Sequence, residues 1–167
     1  MLKKLRNKNM IGMNMFIYLF NEIVREKKRW TDNFEDFEKS LHQLGYNIGY
    51  RIVDIELYDQ KDRLNSVISD KYDEKKLINT LHFISTELWT NLFGTNTDPL
   101  EKSENGSFMI YQSEFIVNKY STIDCGEFIA GIIHGFLVGT GFKPKQVYSS
   151  KSKSKDIKRD VIVIQML

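Results

Sequence analysis

The 167-residue chain carries 24 Lys and Arg against 22 Asp and Glu, a formal net charge of +2, too little to mark a nucleic-acid or membrane partner by bulk electrostatics. Its 41% hydrophobic and 28% charged residues, with only two prolines, exclude an intrinsically disordered chain and give a single domain a substantial core. The lone cysteine, Cys125, excludes an intrachain disulfide or a cysteine-based zinc cage and suits a reducing, cytoplasmic setting.

Lys3, Lys4, Arg6 and Lys8 precede an apolar run from Met10 to Phe20. Gly12 and Asn14 interrupt that run and no small-residue cleavage site follows, so it does not read as a signal peptide. Residues 1–12 are expected to form a basic, flexible leader ahead of one domain spanning 13–167. No stretch reaches the roughly 18 apolar residues that a membrane span requires. Phe16, Leu19, Phe20, Ile23 and Val24 recur at three and four, the spacing of one helical face, and the charged run Arg25 to Arg29 ends that helix.

Thr31 or Asp32 is expected to cap a second helix, with Glu35 and Asp36 in its first turn. Leu41, Leu44, Ile48, Ile52 and Ile55 mark its apolar stripe, and Gly45 and Gly49 sit beside it one turn apart. Each glycine costs up to about 1 kcal/mol relative to alanine inside a helix, so the pair predicts another backbone packed closely there. Asp59 to Glu74 reads as a polar, exposed connection. A third helix follows, with Leu77, Leu81, Ile84, Leu88 and Leu92 on one face, Trp89 and Phe93 thickening it, and Gly94 as its stop.

Asn96 to Gly106 reads as a loop, its Asn105-Gly106-Ser107 sequon a turn. Ser107 to Gln112 and Glu114 to Tyr120 look like the paired strands of a hairpin. Asp124 can cap a fourth helix from Cys125 to Val138 that is apolar nearly all round and should be buried. Gly131, Gly135 and Gly139 repeat at one-turn spacing and, with Cys125, are expected to be close-packing positions. Gly141 ends the helix and Pro144 forbids its resumption. Lys145 to Ser149 is a candidate strand, Ser149 to Ser154 a flexible hairpin loop, and Val161 to Met166 a final strand. Helices, hairpin, helix, hairpin is an α+β order with an antiparallel sheet.

No catalytic, cofactor-binding or metal site emerges. Cys125 begins a helix, where amides favour a thiolate, but His134 lies nine residues on, about 13 Å along a helix. His42, His82 and His134 are isolated and show no metal-ligand spacing. Gly139-Thr140-Gly141-Phe142-Lys143 ends a helix, whereas phosphate loops precede one. Lys143 to Arg159 holds seven cations and one acid, with too few aromatics for a base-stacking surface, so no nucleic acid is expected. That segment reads either as a solvated loop or as a peripheral membrane contact, since each cation near an anionic leaflet contributes about 1 kcal/mol.

Three motifs add a resemblance. Leu44 with Gly45-Tyr-Asn-Ile-Gly-Tyr-Arg-Ile-Val-Asp54 resembles the LG-x-x-x-G-x-R helix of the TRAPP small core subunits. Leu88-Trp-Thr-Asn-Leu-Phe-Gly94 is similar to their W-x-x-L-F-G helix end. Cys125-Gly-Glu-Phe-Ile-Ala-Gly-Ile-Ile-His-Gly135, followed by Gly141-Phe142 to Val147, resembles their N-C-x-x-F-x-A-G helix and GF-x-x-x-V turn. The likeness runs from about residue 14 to 166.

It implies helices covering one face of a twisted antiparallel sheet, and a non-catalytic scaffold that pairs with other small subunits through its helical face. Phe16, Leu19, Phe20, Ile23, Leu41, Leu44, Gly45, Ile48 and Gly49 are the interface residues that follow. It further implies a Rab-type GTPase reached through the assembled complex, no cofactor, and a cytoplasmic location peripheral to endoplasmic reticulum and cis-Golgi membranes. One paralogue of the family holds an acyl chain on a cysteine after its second helix. Asp59 to Asp73 has no cysteine here, and Asp124 stands where the family has asparagine. The competing readings are a free-standing small-molecule- or lipid-binding domain of the same fold and a cysteine-dependent enzyme.

Overall fold

The computed structural model describes residues 2–59, 74–154 and 157–167. Helix α1 spans Leu2–Arg29 and α2 spans Phe34–Asp59. The backbone is therefore helical from Leu2, continuous with the stretch expected as a leader. The second helix is capped by Asn33 rather than Thr31 or Asp32: Asn33 Oδ1 accepts the Asp36 amide at 2.8 Å, and Asn33 Nδ2 donates to the Asp36 carboxylate at 2.9 Å. The first bond satisfies a first-turn amide that has no partner within the helix, and the second holds the capping side chain in place. The expected polar connection over 60–73 lies outside the described residues.

The third helical segment is α3 (Glu74–Phe83), a π-helical turn (Ile84–Leu88) and α4 (Trp89–Phe93), closed by Gly94 in the left-handed region at φ 67°. In the wide turn the Trp89 amide reaches back five residues to the Ile84 carbonyl, which delays the helical phase. Leu77, Leu81, Ile84 and Leu88 are buried, but after the turn Trp89 and Phe93 take the inward positions and Leu92 stands half-buried.

Strand β1 is Glu101–Lys102 and β2 is Phe108–Gln112. The expected hairpin partner of β2 is absent: Ile116–Lys119 forms a short helix, α5. Asp160 draws the Phe115 amide to its Oδ2 at 2.8 Å, and the place beside β2 is taken by the C-terminal strand. Helix α6 spans Gly126–Gly139. It ends in a double turn in which Gly141, at φ 92°, bonds back to Val138 and Phe142 to Leu137, the closure for which glycine is suited.

Strands β3 (Pro144–Ser154) and β4 (Ile157–Met166) complete an antiparallel sheet of order β1-β2-β4-β3. The serine and lysine run at Ser149–Ser154 is strand rather than loop, in register from Ser149 opposite Ile162 to Ser154 opposite Ile157. Lysines are common on such edge strands, where they discourage further pairing.

The chain is thus α+β. Phe108, Ile110, Val147, Ile162 and Ile164 are buried along the sheet's inner face. Helix α6 lies on the sheet, and α2 packs against α6. Helix α1 adds Phe20 and Val24 to the same core.

Candidate partner interface

The α2–α6 crossing decides which helical residues remain for a partner. A Cβ on Gly45 would stand 2.1 Å from the Phe128 carbonyl oxygen, and one on Gly49 2.0 Å from that of Ile132. Reciprocally, a Cβ on Gly131 would meet the His42 oxygen at 2.1 Å, and one on Gly135 the Tyr46 oxygen at 2.1 Å. Gly139 faces the Val53 side chain. Each helix therefore lays its backbone in the other's glycine notch.

That geometry corrects part of the expected interface. Gly45 and Gly49 face α6, and Leu41 and Phe20 are buried in this chain's own core at 0% and 4% exposure. The Phe20 ring packs 4.7 Å from that of Phe128. These four are already covered within the chain and offer no surface to a partner. Phe16, Leu19 and Ile48 are exposed, while Ile23 and Leu44 are half-buried.

Phe16 and Ile48 rim an apolar groove of about 300 Å³ shared by α1, α2, α4 and α6, with Phe93, Phe128 and Ile132 buried at its floor. Along the same two helices stand Leu19 at 64% exposure, Met15 at 71% and Ile55 at 62%. Isolated apolar side chains on a surface are ordinary, but several on adjoining helices beside an apolar groove make these outer faces the candidate interface. Met15 and Ile55, exposed on the same helices, were not among the expected interface residues. Ile55 was legible as the last member of the 41-44-48-52-55 series, whose outward turn depends on where α6 ends.

The suspected chemistry resolves differently. Cys125 is wholly buried, and its thiol donates to the Ile123 carbonyl at 3.4 Å. Burial, reinforced by the neighbouring Asp124 carboxylate and opposed by the Ser121 hydroxyl, pushes the thiol above its ordinary value. A thiol raised in this way is a poor nucleophile. The Cys125 amide is held by Asn118 Oδ1 at 2.7 Å, and Asp124 Oδ1 caps the Gly126 amide at 3.0 Å.

Two of the three histidines come together. His42 Nδ1 lies 2.9 Å from Glu127 Oε2, and His42 Nε2 lies 3.0 Å from His134 Nδ1. Their isolation in sequence hid this, although the two glycine stripes fix a crossing that places residue 42 opposite residues 131 and 134. His82 instead lines a separate groove of about 1030 Å³ with Thr86, Glu87, Asn96 and Asp98. Among the described residues no cluster of three or more His, Cys, Asp or Glu side chains could hold a metal ion, and no helix is long and apolar enough to cross a membrane.

Comparison with known proteins supplies what geometry alone does not. Residues 16–166 match the family model described as "Transport protein particle (TRAPP) component". Trafficking protein particle complex subunit 5 of Dictyostelium discoideum is 29% identical over 170 residues, covering 96% of this chain and 87% of that protein. The Homo sapiens subunit 5 is 27% identical over 149 residues, covering 84% and 75%. Trafficking protein particle complex subunit 31 of Saccharomyces cerevisiae is 21% identical over 189 residues, covering 78% and 67%. The crystal structure of a trafficking protein particle complex subunit 3 from Naegleria fowleri, covalently bound to palmitic acid, superposes with a TM-score of 0.72 at 15% identity, covering 93% of this chain and 95% of that one.

Proposed function

This chain belongs to the TRAPP component family, and from that premise we propose that it is a non-catalytic scaffold subunit of a TRAPP-type vesicle-tethering complex. Its partners are other small subunits of the same family, bound through the outer faces of α1 and α2. A Rab-type GTPase is reached only through the assembled complex, which would act in nucleotide exchange between endoplasmic reticulum and Golgi. The chain would sit in the cytoplasm, peripheral to those membranes.

The observation that carries this reading is the set of exposed apolar side chains on α1 and α2, with Phe16 and Ile48 lining the groove and Leu19 and Ile55 exposed on the same helices. Fully burying such a side chain is worth about 1.5–3 kcal/mol, so a few of them suffice for a stable subunit contact. The raised Cys125 thiol supports a non-catalytic role.

Leu19→Asp combined with Ile55→Asp tests the proposal. Both positions are exposed, so the variant should fold with an unchanged far-UV spectrum while recovery of neighbouring subunits in affinity purification falls at least tenfold. Undiminished recovery would remove α1 and α2 as the contact.

A ligand-binding reading rests on the groove itself. The Naegleria relative carries palmitic acid covalently, whereas the single cysteine here is buried at the start of α6 and does not line the groove. Any acyl chain held there would be non-covalent, and native mass spectrometry of the purified chain would reveal its added mass.

A further inference from the structure

A chain of hydrogen bonds ties three elements together beside the glycine notch. The Ser149 amide of β3 donates to Glu127 Oε1 at 2.7 Å, Glu127 Oε2 meets His42 Nδ1 at 2.9 Å, and His42 Nε2 meets His134 Nδ1 at 3.0 Å. The histidine rings stand edge to face with centroids 5.3 Å apart, and the Tyr46 ring closes on His134 at 5.1 Å. The His42 and Glu127 side chains are only about one-fifth exposed. None of these residues belongs to the apolar groove.

The proton positions follow from the partners. An ionised carboxylate only accepts, so His42 Nδ1 carries a hydrogen. The 3.0 Å gap between His42 Nε2 and His134 Nδ1 then needs one hydrogen. The neutral pair supplies it, with His134 Nδ1–H donating to His42 Nε2. A singly charged pair supplies it as well, whichever ring holds the charge. A doubly charged pair puts a hydrogen on both facing nitrogens, so the bond is lost and two cations face each other.

We infer that Glu127, His42 and His134 form a single-proton clamp between α2 and α6, and that uptake of a second proton by the histidine pair breaks it and loosens the crossing. Two interacting groups of this kind titrate as a pair, in two macroscopic steps.

The surroundings bear on the second step. Desolvation, followed by the charge of His42, holds His134 below the ordinary histidine value of 6.5. On α2, burial together with Glu127 and Asp124 raises the Glu38 carboxyl. Lys151 of β3 is paired with Asp124 at 2.8 Å. Burial and the neighbouring imidazole thus oppose a charge on His134, and with it the second proton.

The sign of the effect follows. As pH falls through 6.5, the unfolded chain protonates residue 134 before the native chain does. The unfolded state then binds more protons, and stability drops with acidification until the native pair has also taken its second proton. Loosened α2 would disturb Ile48 and Ile55, but the clamp stands whether or not that face binds a partner.

The test is made on the purified chain. His134→Asn keeps an amide N–H that can donate to His42 Nε2 yet cannot gain a proton. Between about pH 7.5 and 5.5 the wild type should lose on the order of 3 °C more in Tm than His134→Asn. Imidazole nitrogen NMR of the wild type gives the second reading. Two separate titration steps, with the upper one leaving a single hydrogen between the rings, support the clamp. Parallel pH profiles for the two proteins, or two histidines titrating independently, would overturn it. Should His134→Asn fail to fold, the NMR titration decides by itself.

Discussion

Gly135→Ala puts the α2–α6 interlock to its sharpest test. The new methyl carbon would sit 2.1 Å from the Tyr46 oxygen and 2.8 Å from the Tyr50 nitrogen. Both are backbone atoms in the middle of a helix, so no rotamer change relieves the clash. Restoring ordinary contact near 3.4 Å requires the helices to part by about 1 Å, and a gap of that size forfeits a quarter to a half of each dispersion contact. Over the order of 60 to 80 atom pairs at 0.1–0.2 kcal/mol each, the loss centres on roughly 4 kcal/mol. Replacing glycine by alanine inside a helix returns about 1 kcal/mol, leaving a net destabilisation of about 2–4 kcal/mol. For a domain of this size that lowers Tm by roughly 4–16 °C, readable by thermal or urea unfolding. Gly12→Ala is the internal control: nothing lies within 4 Å of its added carbon, so propensity alone should stabilise the chain by up to about 1 kcal/mol. Gly45→Ala opens the same gap as Gly135→Ala, so the double variant should cost at least about 1 kcal/mol less than the sum of the two. A Gly135→Ala protein as stable as the wild type would show that the helices do not meet backbone to backbone.

Two further outcomes follow from the network at the start of α6. Asp160 is 7% exposed and accepts from the Phe115 amide at 2.8 Å and from Asn118 Nδ2 at 3.2 Å. Asp160→Ala leaves the Phe115 amide unpaired, while Asn118 Nδ2 keeps Asp124 Oδ1 at 3.0 Å, and should cost about 1–3 kcal/mol in urea unfolding, whereas a loss below about 0.5 kcal/mol would mean that water replaces the carboxylate freely. Cys125, buried and with its thiol raised, should resist iodoacetamide at neutral pH in the native chain and react once it is unfolded in denaturant; prompt labelling of the native protein would contradict the placement of α6.

How much of this the residues disclose depends on how local the cause is. The glycine pairs were legible because glycine inside a helix is costly, and a repeated cost at one-turn spacing implies a neighbour. The helix end at Gly141 and Pro144 was legible for the same reason, since both residues act on their own backbone. The segment from Glu114 to Tyr120 was not, because its aromatic and β-branched residues suit a strand or a buried turn equally. The decision rests on Asp160, far along the chain, which holds the Phe115 amide. The Ser149–Ser154 strand was missed because serine and lysine have weak strand propensity, and only its position at the sheet edge makes them suitable. The π-helical turn leaves no mark in the apolar spacing before it, and it decides whether Leu92 or Phe93 turns inward. The interface residues divided because periodicity names a helical face without saying which neighbour covers it. His42 and His134 met for the same tertiary reason.

The contrast between the two sides of α2 is what most favours the proposed assembly role. One side is committed to α6 through backbone contacts at Gly45 and Gly49, which admit no second use. Leu41 and Val53 are likewise consumed by the core. A helix that served this chain alone would be polar over its remaining surface, yet Ile48 and Ile55 stay outward there, and Met15 and Leu19 do so on the neighbouring α1. Turning them inward would require α2 to rotate on α6, which would take Gly45 and Gly49 out of the notches where a Cβ would meet the Phe128 and Ile132 backbone. Among the described residues the inner contact therefore leaves those side chains exposed, and they are the surface that the proposed assembly role would use.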